Sequence, residues 1–163
     1  MKSSTYIIIY GRGGHQAQMA KLLTNGLFVD EDNINLIAIT DSLNAIEKHV
    51  QNTITVDELR DKHSNRLTLL WLPLLSVRLI IRSLMLLKKH NIKGVISTGP
   101  GIAIIPCLIF GLFGKKIIVF ESWSKFNQPS YTAKILYRFA GLFIVQHSSM
   151  LKVFPKAKYW GKL

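Results

Sequence analysis

Acidic residues all but vanish after position 61 of this chain: eight of the nine Asp and Glu come earlier, and Glu121 is the one that follows. Against it stand sixteen Lys and Arg, so residues 62–163 carry a net charge of +15 while the first 61 carry −3. A face of that sign attracts anions, and nucleic acid, an acidic lipid leaflet and a pyrophosphate-bearing substrate all qualify on charge. Nucleic acid is set aside because the sequence lacks a recognition helix and any sheet pattern of interleaved aromatic and basic residues. Cysteine is nearly missing too. Cys107 stands alone in an apolar run, which excludes a disulfide framework and a cysteine-based zinc site. No Gly-Lys-Ser/Thr occurs, so a P-loop is excluded. Charged residues make up only 18% of the chain and hydrophobic ones 48%, a balance that excludes disorder and is greasier than a soluble domain needs. With 163 residues there is one domain, 1–163, and not the two that many nucleotide-sugar enzymes use. The first apolar run, Tyr6 to Tyr10, is too short for a signal peptide and leads into glycines. It is read as a strand, and the protein as cytoplasmic.

What is present alternates. Short β-branched runs lie at Tyr6–Tyr10, Asn35–Thr40, Thr53–Val56, Val95–Ser97, Ile117–Phe120 and Phe143–Val145, apolar on both faces and bounded by turn residues. Strands of a parallel sheet covered on both sides read this way. Helical segments are expected between them at His15–Leu23, Leu43–Lys48, Leu67–His90, Ile102–Leu112 and Tyr131–Ala140. The economical architecture is a doubly wound, Rossmann-like α/β sheet.

The segment from Leu67 to His90 is more apolar than a surface helix requires. It is nearly long enough to span a bilayer, but Arg78 and Arg82 lie inside it, and two central arginines cost about 5 to 7 kcal/mol on insertion scales. At 100° per residue Arg78, Arg82 and Lys89 share a narrow stripe, with Leu74, Val77, Ile81, Leu84 and Leu87 over the other faces. The expectation is a helix lying in a membrane interface, against the alternative of a long core helix with one wet edge.

Two glycine loops carry the chemistry. Tyr10-Gly11-Arg12-Gly13-Gly14-His15 follows the first strand and opens a helix. Glycine permits close backbone approach, and the helix N-terminus offers N–H groups to phosphate. The third glycine of a dinucleotide fingerprint is replaced by Gln16, which argues against a nicotinamide site. His15, titrating near neutrality, is a candidate general base or phosphate ligand. The second loop, Ser97-Thr98-Gly99-Pro100-Gly101, should line the same crevice, since both follow parallel strands. Gly11, Gly13, Gly14, Thr98, Gly99 and Gly101 are therefore the candidate phosphate-binding positions. Glu121 ends another strand at that edge and is the second candidate base, with a sugar-hydroxyl ligand or an ion-pair partner for a neighbouring Lys as the alternative roles. Asp30-Glu31-Asp32 looks like a metal-binding acidic motif but precedes a strand instead of ending one, so it is read as a solvated turn and no metal is assigned.

Gly13-Gly14-His15 with Gln18, Ser97 to Gly101 followed by Pro106, Glu121-Ser122 with Ser130 to Tyr137 behind it, Val145-Gln146, and the ending Phe154-Pro155 to Leu163 together resemble one family. It comprises the membrane-anchoring subunit of the eukaryotic transferase that adds the second N-acetylglucosamine to a dolichol-linked sugar, and bacterial PssD-like relatives in exopolysaccharide and capsule synthesis. The resemblance implies the N-terminal half of an inverting GT-B glycosyltransferase. It also implies a UDP-sugar donor, a lipid-pyrophosphate-sugar acceptor and a separate small protein supplying the donor-binding half. Eukaryotic members begin with a membrane-spanning helix where this chain begins with a strand, so anchoring at the cytoplasmic face of the membrane is expected to fall to 67–90 or to be weak. A rival reading is a non-catalytic scaffold that brings a complete transferase to the membrane.

Overall fold

In the computed structural model the described residues are 4–27, 34–42, 50, 52–56 and 65–163, with 65–72 described for backbone only. Seven strands are found among them: β1 Ser4–Tyr10, β2 Ile34–Thr40, β3 Asn52–Thr55, β4 Ile92–Ser97, β5 Lys116–Phe120, β6 Leu142–Val145 and β7 Lys158–Tyr159. They form one sheet in the order β3-β2-β1-β4-β5-β6-β7, and every pairing is parallel. The helices are α1 Gly14–Thr24, α2 Asn65–Lys89, α3 Ile104–Leu112 and α4 Tyr131–Leu136. The expected helix at Leu43–Lys48 and the acidic run Asp30-Glu31-Asp32 lie outside the described residues.

Both faces of the sheet are buried, as the unbroken apolar runs require. Alternate residues of β1 serve opposite cores: Ile7 and Ile9 point to one, Ile8 and Tyr10 to the other, and all four are 0% exposed. The first core is closed by Leu79 and Leu86 of α2, Cys107 and Phe110 of α3 and Leu136 of α4. The second is closed by Met19, Leu22 and Leu23 of α1. Thus the connection leaving β1 crosses on one face and the one leaving β4 on the other, and the crevice between these neighbours is the topological switch point.

Helix starts and stops depart from the sequence expectation for local reasons. Residues Gly101–Ala103 form a 3-10 turn, and α3 begins at Ile104 instead of Ile102. That start puts Pro106 in the first turn, where its missing N–H leaves no hydrogen bond unmade. Ser130 caps α4 by accepting from the Ala133 amide at 3.0 Å, and the helix stops at Leu136, short of Ala140. The long helix runs through Pro73 and ends on Lys88 and Lys89, cations that complement its negative C-terminal dipole. No helix among the described residues is long and apolar enough to cross a membrane.

Candidate functional site

Five strand ends meet at the carboxyl edge of the sheet, and the residues following them build the crevice. Gly11 to Gly14 follow β1, Asp41 and Ser42 follow β2, Thr98 to Gly101 follow β4, Glu121 follows β5, and Gln146 and His147 follow β6. The two glycine loops are in contact. A Cβ on Gly11 would stand 3.0 Å from the Pro100 Cβ and 3.4 Å from Asp41 Oδ1, so a side chain here would make the neighbouring segments give by a few tenths of an ångström. Gly13 caps α1 at φ 66 with no side-chain cap and no acid in the helix's first turn, which leaves the N-terminal amides to an anion. Around Gly101 the space is open, whereas Gly14 faces Trp123, whose Nε1 would lie 3.6 Å from an added Cβ.

His15 is locked between the loops. Its Nδ1 donates to the Thr98 carbonyl at 2.7 Å, and the Thr98 hydroxyl donates back to the His15 carbonyl at 3.1 Å. Because a carbonyl only accepts, Nδ1 carries the proton, and Nε2 is the basic nitrogen of the neutral ring. Burial lowers the His15 pKa below the usual 6.5; the Thr98 bond and the Asp41 charge oppose this, and Lys125 adds to it. The imidazole is therefore neutral and fixed in one tautomer at neutral pH, the state a general base needs.

Glu121 is placed differently. It is 1% exposed, and its carboxylate oxygens accept from the amide and hydroxyl of Ser130, both at 3.4 Å. Burial raises its pKa above 4.5, while the Ser130 and Ser122 contacts and Lys125 pull the other way. Through Ser130 the carboxylate ties β5 to the start of α4 and closes the loop 121–130.

Several residues that complete the site were not singled out as site residues in the sequence reading. Asp41, 8% exposed, accepts from the Arg12 amide at 2.8 Å, and its own carbonyl accepts from Arg12 Nε at 2.7 Å. Gln18, fully buried in α1, donates to the Glu121 carbonyl at 3.0 Å and accepts from the Trp123 amide at 3.4 Å. His147 donates from Nε2 to the Trp123 carbonyl at 2.7 Å, with the Phe126 ring centred 4.0 Å away, and Ser149 bonds the Phe126 carbonyl. Loop 121–130 is thereby pinned from α1, β6 and its own two ends. No three His, Cys, Asp or Glu side chains converge among the described residues in a way that could hold a metal ion.

Arg78, Arg82 and Lys89 are not part of this crevice. They lie along one flank of α2, where Arg82 Nη1 donates to the Thr55 carbonyl at the end of β3 at 2.7 Å. The structure thus separates the candidate residues into a crevice set and a helix-flank set.

Comparison with solved structures gives likenesses of fold. MurG of Acinetobacter baumannii matches with a TM-score of 0.63 at 12% identity over 99% of this chain and 44% of that one. A putative UDP-N-acetylglucosamine 2-epimerase of Listeria monocytogenes matches with a TM-score of 0.68 at 9% identity, over 95% and 42% of the two chains. This chain spans less than half of either, and its fold is the Rossmann-like N-terminal half of a GT-B glycosyltransferase. Relatives by sequence carry the description "UDP-N-acetylglucosamine transferase subunit ALG14". That of Kluyveromyces lactis is 28% identical over 193 residues, 100% of this chain and 80% of the relative. That of Homo sapiens is 26% identical over 184 residues, 99% and 84% respectively. A family model described as "Oligosaccharide biosynthesis protein Alg14 like" matches residues 6–163, and the chain belongs to that family.

Proposed function

We propose that this chain is the acceptor-side subunit of a two-component, inverting UDP-sugar glycosyltransferase that extends a polyprenyl-pyrophosphate-linked sugar in bacterial polysaccharide synthesis. The observation that carries the reading is His15: a neutral imidazole, fixed through Nδ1 by Thr98, at the uncapped N-terminus of α1. The acceptor's pyrophosphate takes the amides of Gly13 and Gly14 and the backbone around Gly99 and Gly101. Its sugar hydroxyl reaches His15 Nε2. In the transfer the hydroxyl oxygen bonds to the anomeric carbon of the donor, the bond from that carbon to UDP breaks, and the hydroxyl proton goes to Nε2. Glu121, Gln18 and His147 hold the wall formed by loop 121–130. The donor half comes from a small partner protein that closes over the carboxyl edge. Peripheral attachment to the cytoplasmic face of the membrane brings the lipid-linked acceptor within reach. No cofactor is assigned to this chain.

Reconstitution tests the reading. The purified chain alone should transfer nothing to a lipid-pyrophosphate-sugar acceptor, and adding the partner should restore transfer. Robust transfer by the lone chain would refute the division into halves. Full activity of the partner alone would establish the scaffold reading instead.

A further inference from the structure

The outward side of α2 is apolar, which a helix covering a sheet does not need. Leu79, Ser83 and Leu86 turn inward and are buried, whereas Leu74, Val77, Ile81, Leu84 and Met85 are 41% to 63% exposed. At 100° per residue these five fall within one sector of about 100°. A second element extends the patch. At the end of α3 and the start of the turn to β5, Leu112 and Phe113 are 85% and 58% exposed. Phe113 and Lys115 line, with Leu84, Leu87 and Lys88, one groove of about 410 Å³. Two helix ends and the start of β5 therefore present a single apolar corner at the amino edge of the sheet, with Lys88 and Lys115 lining it and Lys116 next in the chain. The acids among the described residues, Asp41 and Glu121, both stand at the opposite, carboxyl edge.

We propose that this corner, Leu84 of α2 with Leu112 at the end of α3 and Phe113 just after it, docks on an anionic bilayer with Lys88, Lys115 and Lys116 at headgroup level. An apolar patch whose charged neighbours among the described residues are lysines matches both layers of such a surface: acyl chains for the side chains, phosphate groups for the lysines. Phe113 at the tip of a turn inserts without exposing backbone beyond that turn. Arg78 and Arg82 flank the stripe, and Arg82 is committed to the β3 carbonyl, so the centre of the contact is a helix turn and a loop away from the arginines. Since α2 connects the carboxyl end of β3 to the amino end of β4, its outward stripe joins this corner to the edge that carries the crevice. The proposal deepens the peripheral membrane role given above and rests on it for its setting.

Vesicle binding by the full chain tests it without any transferase assay. The chain should co-sediment with vesicles of phosphatidylcholine mixed with phosphatidylglycerol, much less with phosphatidylcholine alone, and binding should weaken with salt. Lys88→Glu with Lys115→Glu should weaken binding by at least about thirtyfold, the scale for two basic residues near an anionic leaflet. Leu112→Ser with Phe113→Ser, both exposed and so harmless to folding, should abolish the part that survives high salt. Cys107 is buried and its thiol is pushed up to about 12, so a polarity-sensitive dye can be placed on an introduced cysteine alone. On Leu112→Cys the dye should report an apolar environment when vesicles are added, and on Asn127→Cys it should not. Equal binding by the serine variant, or a dye response at position 127 and none at 112, overturns the proposal. So does a chain that is dimeric until Leu112 and Phe113 are replaced and ignores vesicles throughout, which would make the corner a self-association face. In detergent with the partner present, the serine variant should transfer at the wild-type rate, so loss of docking is distinguishable from failure of the half-enzyme reading.

Discussion

At the scale of single residues, the two candidate bases part company through their hydrogen bonds. His15 holds its proton on Nδ1 against Thr98 and keeps Nε2 basic, whereas the Glu121 carboxylate is taken up by Ser130. With the partner present, His15→Ala should lower turnover by about two to four orders of magnitude, the usual loss for a general base. Burial depresses the His15 pKa below 6.5, so its basic form persists into mildly acidic solution. Activity should fall only as pH drops through that lowered value, and His15→Ala should remove this acidic limb from the pH profile of kcat/KM. Glu121→Gln can still accept from the Ser130 amide and is expected to cost less than about tenfold, on the scale of one weakened hydrogen bond. A severe loss at Glu121 with a mild one at His15 would reverse the two roles. Stability offers an independent reading of Glu121. Its raised pKa means the folded state holds the proton more tightly than the unfolded chain, so its contribution declines as pH rises from 4.5 through the folded value. The difference in thermal stability between wild type and Glu121→Gln should therefore move in favour of the glutamine as pH rises through that window.

At the scale of elements, the crevice depends on how closely the two glycine loops meet. Gly11→Ala would bring a Cβ to 3.0 Å from Pro100 and force the loops apart, an overpacking cost of about 1 to 3 kcal/mol measurable by denaturant unfolding. Gly101→Ala meets nothing within 4 Å and should leave stability within about 0.5 kcal/mol of wild type. If both substitutions cost the same, close approach is not what Gly11 provides. The loops and the core strands were legible in the sequence because a strand buried on both faces, a glycine turn and a helix follow one another within a short window. Strand β7 was not legible: Lys158 and Tyr159 are exposed and make no apolar run. The site was legible in the same uneven way. Thr98 and Glu121 sit directly after strands and His15 at the start of the helix after the first glycine loop, whereas the partners that fix them come from far away in the chain. Asp41 is 29 residues from Arg12, and Gln18 is 103 from Glu121. Such pairings follow from strand order, and the order β3-β2-β1-β4 cannot be read from local pattern. The exposed corner at Leu112 and Phe113 escaped for another reason: in sequence those residues extend an apolar helix, and only the packing of α3 shows that they project from its end.

At the scale of the whole molecule, a parallel sheet gives two unlike edges, and here they have unlike chemistry. The carboxyl edge gathers the glycine loops, His15, Asp41 and Glu121; the amino edge gathers Lys93, Lys115, Lys116, Arg138, Lys156 and Lys158, of which Lys115 lines the exposed corner. If the donor-binding partner closes over the first and the bilayer takes the second, the two must bind together without competing. Hydrogen exchange on the chain can separate them. Adding the partner should slow exchange in 11–14, 98–101 and 122–130 and leave 112–116 unchanged, while anionic vesicles should slow 112–116 and leave the crevice loops exchanging as before. With both present the two patterns should superimpose, and the affinity for the partner should change by less than about tenfold, since sites on opposite edges share no contact through which a larger coupling would pass. A partner footprint on 112–116 would place the missing half on the amino edge and leave the crevice open to solvent. In that event His15 would have no donor sugar opposite it, and the assignment of the carboxyl edge as half of an active site would have to be given up.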